Sequence, residues 1–154
     1  MSSRLAVIPV YYVRYSRDYV DPAKAEEARK AGNEMFQSSK YPEAIRLYDE
    51  SIKRAPADPR GYSNRAAAYT KLGSPIEALK DCEKALELDP NFNKAYLRKA
   101  QCHYMMKDFH KALDTYDKAL KLFPEVCVDY LVLLAVLCSY YCTACHHWLH
   151  RILI

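Results

Sequence analysis

Pro56, Pro90 and Pro124 stand 34 residues apart, and the segments ahead of them align as three copies of one pattern without insertion. A strict period of that length marks a stacked helix-turn-helix array, whereas a generic amphipathic bundle repeats only at the roughly 3.6-residue helical period. With the first place of each copy at Ala25, Pro59 and Asn93, the fourth place holds Ala28, Tyr62 and Tyr96, and the eighth holds Gly32, Ala66 and Ala100. The twentieth place holds Ala44, Ala78 and Ala112, the twenty-fourth Tyr48, Cys82 and Tyr116, and the twenty-seventh Ser51, Ala85 and Ala119. Small residues at fixed places imply helices that approach closely. The expected fold class is therefore all-α, with repeats at about 25–58, 59–92 and 93–124.

Local signals punctuate the helices where this period requires. Asp21 before Pro22 and Asp58 before Pro59 place a capping carboxylate ahead of a proline at the first helical position, where a missing N–H costs nothing. Ser74, Pro75 and Glu77 have the spacing of a capping box. These signals predict helices at Pro22–Ser38, Pro42–Arg54, Pro59–Leu72, Pro75–Leu88, Asn91–Met106 and Phe109–Leu122, joined by connections short enough to force antiparallel neighbours. Composition agrees: 51% hydrophobic residues supply a core, and only three glycines interrupt it. The net charge of +4 is too small for a nucleic-acid footprint and favours an acidic partner instead.

At about 100° per residue, places 4, 7, 8 and 11 of each first helix share the packing side, and places 2, 5, 6, 9, 12 and 13 lie nearly opposite. That second face carries Arg29, Asn33 and Phe36 in the first copy, Asn64 and Lys71 in the second, and Lys94 and Arg98 in the third. Cations and two amides are expected to converge there with no carboxylate among them. Arg29 with Asn33, and Lys94 with Arg98, are i, i+4 neighbours, so each pair shares one patch of helix surface. Such a site suits two carboxylates close in space, held by charge-assisted bonds. A chain end finishing in an acidic residue supplies that pair.

Over Asp21 to Pro124 the pattern resembles the tetratricopeptide repeat (TPR) family, which implies a right-handed superhelical groove. Gly32-Asn33, Tyr62-Ser63-Asn64-Arg65-Ala66-Ala67 and Lys94-Ala95-Tyr96-Leu97-Arg98-Lys99-Ala100 resemble the carboxylate-clamp branch of that family. Its members are cochaperones that bind the C-terminal Glu-Glu-Val-Asp of the seventy- and ninety-kilodalton heat-shock proteins. The resemblance implies a clamp of Arg29, Asn33, Asn64, Lys94 and Arg98, with Lys71 as an auxiliary contact and Phe36 helping to floor a valine pocket. Many members carry lysine where this chain has Arg29, which keeps the charge but alters reach and donor geometry. The stretches from Asp21 to Arg29 and from Ile52 to Pro56 are similar to the last clamp-bearing module of the Hsp-organizing cochaperone family, associated mainly with the seventy-kilodalton partner. The resemblance implies a cytoplasmic location.

The two ends depart from the repeat. Residues 1–20 carry Arg4, Arg14 and Arg17 against Asp18, and Pro9 interrupts their apolar run, which suits an unstructured leader better than a secretory signal. Residues 125–154 form an apolar tail, in which Tyr130 to Leu149 contains no Asp, Glu, Lys or Arg. An atypical apolar helix is expected there. Three readings compete: a C-terminal membrane anchor through 130–149, a helix folding back on the third repeat, and a truncated or substituted continuation. The anchor reading would make the chain a tail-anchored chaperone receptor on the cytosolic face of an organelle. Cys127, Cys138, Cys142 and Cys145 lie in this tail, and Cys142 to His146 matches a C-x-x-C-H haem signature in form alone. Zinc is disfavoured because a structural site wants a second ligand pair. Neither a cofactor nor a metal is expected, and Cys82 and Cys102 read as small apolar residues inside the repeats. No paired acids, nucleophile elbow or phosphate loop appears, so no enzyme is expected.

Overall fold

The computed structural model describes residues 19–124. Six complete helices follow one another: α1 Pro22–Gln37, α2 Tyr41–Arg54, α3 Pro59–Lys71, α4 Pro75–Leu88, α5 Asn93–Met105 and α6 Phe109–Leu122. Their bounds fall within one or two residues of those predicted. The expected tail helix, its anchor reading and its cysteines lie outside the described residues, as does nearly all of the expected leader. Among the described residues no helix is long and apolar enough to cross a membrane.

The helices pair as α1 with α2, α3 with α4 and α5 with α6, and the pairs stack in order. Close approach inside each pair follows from the small residues at the repeat places. Ala44, Ala66, Ala78, Ala85, Ala100 and Ala119 are all fully buried, and Tyr48 and Cys82 are buried beside them. Gly32 shows how little room is left: a Cβ added there would come within 2.6 Å of Tyr48 Cε1 and 2.8 Å of its Cδ1. Cys82 and Cys102 are buried free thiols in one cluster with Ala66 and Ala78, in line with their apolar reading.

Each turn between paired helices is built the same way. Ser39, Gly73 and Lys107, all at the fifteenth repeat place, adopt positive φ of 60°, 76° and 62°. The next residue's N–H then reaches five residues back: Lys40 to the Met35 carbonyl, Ser74 to Tyr69 and Asp108 to His103, each at 2.9 Å. This is the Schellman closure of a helix end. It explains one failed expectation, since Ser74 makes no side-chain cap and the capping box with Glu77 does not form. The Ser74 N–H that a box would give to Glu77 is already spent on the Tyr69 carbonyl. Asp21 and Asp58 do cap, accepting from Ala23 and Lys24 N–H and from Arg60 N–H respectively.

Ion pairs tie successive repeats together away from the groove. Arg65 donates from Nε and Nη2 to Asp81 at 2.8 and 2.6 Å, and from Nη1 to Asp49 of the preceding repeat at 2.5 Å. These bonds, led by the one to Asp81, hold its guanidinium firmly in the charged form. One repeat later the equivalent Lys99 reaches Glu83 at 2.9 Å. Tyr19 docks on α2, its hydroxyl 3.1 Å from a Glu50 oxygen and its ring 4.4 Å under the Arg54 guanidinium.

Two outcomes are expected. Gly32→Ala should destabilise the fold by about 1–3 kcal/mol, the usual size of overpacking, seen as a lower urea midpoint. His103 is buried with its Nδ1 unpartnered. Burial holds its imidazole below the ordinary 6.5, Lys99 and Lys111 add to this, and Asp108 and Glu83 oppose it. The unfolded chain therefore takes up this proton more readily than the fold, so the neutral ring's contribution is complete above 6.5 and is lost as pH falls from there. Urea midpoints measured from neutral pH down to about 5.5 should fall less steeply for His103→Gln than for the parent.

Candidate peptide-binding groove

The first helices of the three repeats, α1, α3 and α5, alternate with α2 and α4, so they run parallel and their matching faces line up. Asn33 stands in the last third of α1, partly buried, and its Oδ1 accepts two hydrogen bonds: from the Tyr48 hydroxyl at 2.9 Å and from Asn64 Nδ2 of α3 at 3.0 Å. With the oxygen held from both sides, both Asn33 Nδ2 donors are turned away from Tyr48 and Asn64, and Asn64 retains one N–H of its own. The third repeat joins through Arg98, whose Nη1 donates to the fully buried Ser63 hydroxyl on α3. Burial raises the Tyr48 phenol above its ordinary range, while the charges of Arg98 and Arg29 pull it down. Thus Asn33 and Asn64 meet directly, and Arg98 reaches the residue beside Asn64 on α3.

The remaining residues take different places. Lys94 is exposed in the first turn of α5, one turn from Arg98, and makes no ion pair among the described residues. Lys71 is exposed at the end of α3, about 10 Å along the axis from Asn64. It stands at the far end of the groove from Lys94. Phe36 is partly buried against Ala44, Tyr48 and Ala68 and packs edge-to-face on Tyr41, with ring centroids 5.4 Å apart.

One expectation is overturned. Glu26 is a carboxylate on the same face, and it grips Arg29, with Nε 2.9 Å and Nη2 2.5 Å from its two oxygens. The spacing accounts for it: Glu26 occupies place 2, three residues before Arg29 at place 5, so helical geometry brings the two side chains together. This bond raises the Arg29 guanidinium and lowers the Glu26 carboxyl, so both stay charged. Ser63 and Tyr48 were also unmarked as site residues by the sequence reading. Ser63 sits at place 5, so its face could have been read; the Tyr48 hydroxyl could not, because place 24 identifies only a packing ring.

Models of the tetratricopeptide repeat match residues 59–92 and 94–126, and a further TPR repeat model matches residues 32–73. The chain belongs to the tetratricopeptide repeat family. The Hsp70-Hsp90 organizing protein of Triticum aestivum is 55% identical over 109 residues, covering 71% of this chain and 19% of that protein. This TPR chain thus spans about one-fifth of the length of such relatives. Two solved structures share the TPR architecture. The TPR2B-domain:pHsp70 complex of yeast Sti1 is 54% identical with a TM-score of 0.66, over 68% of this chain and 83% of that one. The TPR2AB-domain:pHSP90 complex of yeast Sti1 is 50% identical with a TM-score of 0.72, over 76% and 45%.

Tyr48→Phe should keep the ring packed over Gly32 while removing one of the two bonds that hold Asn33. A stability loss of about 0.5–1.5 kcal/mol is expected in urea unfolding, the usual net worth of one such bond. A variant as stable as the parent would deny the hydroxyl this role.

Proposed function

We propose that this TPR domain, residues 21–124, is a cochaperone binding module whose groove takes the acidic C-terminal tail, Glu-Glu-Val-Asp, of heat-shock protein 70 and 90 chaperones. The observation that carries this reading is the juxtaposition of Asn33, Asn64 and Arg98, one from each repeat: Asn64 bonds Asn33, and Arg98 bonds Ser63, which adjoins Asn64 on α3. Amide donors without competing acceptors, beside guanidinium groups and a neighbouring ammonium, suit the paired carboxylates of a C-terminal aspartate. Arg29, Asn33, Asn64, Lys94 and Arg98 form the clamp in this reading. Lys71 would meet residues upstream in the peptide, and Phe36 would help to floor the pocket for its valine. The likeness to yeast TPR domains in complexes with pHsp70 and pHSP90 supports the ligand class. The module is read as a non-catalytic adaptor, because among the described residues the groove pairs donors with charges and offers no nucleophile beside a base, and as cytosolic on its likeness to the Hsp70-Hsp90 organizing proteins.

Calorimetric titration with a peptide ending Glu-Glu-Val-Asp tests this directly. Amidating the peptide terminus, or introducing Lys94→Ala or Arg98→Ala, should each cost about 1.5–3 kcal/mol, a loss of roughly ten- to a hundred-fold in Kd. Equal binding of the acid and the amide by the parent protein would count against the clamp.

A further inference from the structure

Glu26 stands between two guanidinium groups of different character. Its grip on Arg29 closes the Nε and Nη2 edge of a side chain that is only 17% exposed. Its Oε2 also lies 3.5 Å from Nη2 of Arg60, which comes from α3 and is 52% exposed. Arg60 is itself held from behind: Asp58 accepts from its Nε at 3.0 Å and from its Nη2 at 2.8 Å. The chain Arg29, Glu26, Arg60, Asp58 therefore crosses from the first repeat to the second along the groove.

A carboxylate approaching that edge of Arg29 finds another carboxylate already bound there. Two anions cannot share those donors without repulsion, so the incoming group has to displace Glu26 or stop short. Displacement alone would strand a charge. Arg60 removes that obstacle, because Glu26 already touches it and Arg60 is anchored where it stands.

We infer that Glu26 is a built-in competitor for Arg29, and that ligand binding hands Glu26 from Arg29 to Arg60. This rests on the reading of the groove as a receptor for an acidic chain end. Glu26 then sets a threshold on affinity: a ligand carboxylate must outbid an intramolecular one, which disfavours weakly acidic or mispositioned chain ends. Arg60 contributes to binding without touching the ligand.

The test is a double-mutant cycle on the full chain, titrated with the peptide ending Glu-Glu-Val-Asp and with its amide. Glu26→Gln keeps shape and removes the charge, and should tighten the free acid by roughly three- to five-fold, the scale of a partly exposed ion pair. Arg60→Gln should weaken it by a similar factor in the parent, and by clearly less in the Glu26→Gln background. Glu27→Gln, an exposed neighbour on α1, makes the same change in net charge and should tighten binding less than Glu26→Gln does. Thermal unfolding of each variant confirms that the helices persist. Weakened or unchanged binding in Glu26→Gln, an effect equal to that of Glu27→Gln, or additivity of Glu26→Gln with Arg60→Gln would overturn the proposal. If the parent binds acid and amide alike, or Lys94→Ala has no effect, the reading of the groove fails first, which separates the two.

Discussion

The structure depends on how closely the two helices of a repeat approach one another. In the first repeat that contact is the Tyr48 ring lying across Gly32, with no room for a methyl group between them. The same side chain then ends in a hydroxyl that holds Asn33 on the other side of the packing layer. Core and site are thus joined in one residue: the ring fixes the distance between α1 and α2, and its tip fixes the orientation of an amide in the groove. Because Asn33 also binds Asn64, the packing inside the first repeat is transmitted to the face of the second.

The 34-residue period and the small residues placed on it foretold the helices, their pairing and the buried places 8, 20, 24 and 27, but not the burial of Ser63, Ala68 and Ala95 or the partial exposure of place 4. A repeat built from short-range contacts makes this legible, since each place has the same neighbours in every copy. Face arithmetic put Asn33 and Asn64 on matching faces, where they share a hydrogen bond, and Arg98 on the next, where it bonds Ser63. It missed what lies beyond direction. Angle around a helix says which side a residue takes, yet not what that side chain will touch; Glu26 was on the computed face and its bond to Arg29 still went unread. Ser74 failed for a related reason, because its spacing to Glu77 gave no sign that the turn geometry would take its N–H. The Schellman turns themselves had only Gly73 as a local clue, since Ser39 and Lys107 reach positive φ without being glycine.

Charge in this groove is organised by pairing as much as by sign. Lys94 projects into solvent at the start of α5, whereas Arg29 is shielded and bound to Glu26. Two cations of equal formal charge thus present different surfaces to an acid: one hydrated and unpaired among the described residues, the other already bonded. A net charge of +4 says little about either. Local geometry decides which positive charge is open and which is held.

The ion pairs outside the groove are unequal, and the inequality lies in what crosses each junction. Arg65 holds Asp81 within its own repeat through two bonds and reaches Asp49 of the preceding repeat with a third, a planar fork that ties the first repeat to the second. At the next junction Lys99 offers one rotatable ammonium to Glu83, and Thr115 takes the place of Asp81 and turns its hydroxyl to its own helix at the Lys111 carbonyl. One of these charged bonds crosses each junction, so the joints differ in the donor: a guanidinium anchored in its own repeat at the first, a lone ammonium at the second. At the second joint the bond from Arg98 to the Ser63 hydroxyl adds a tie on the groove side.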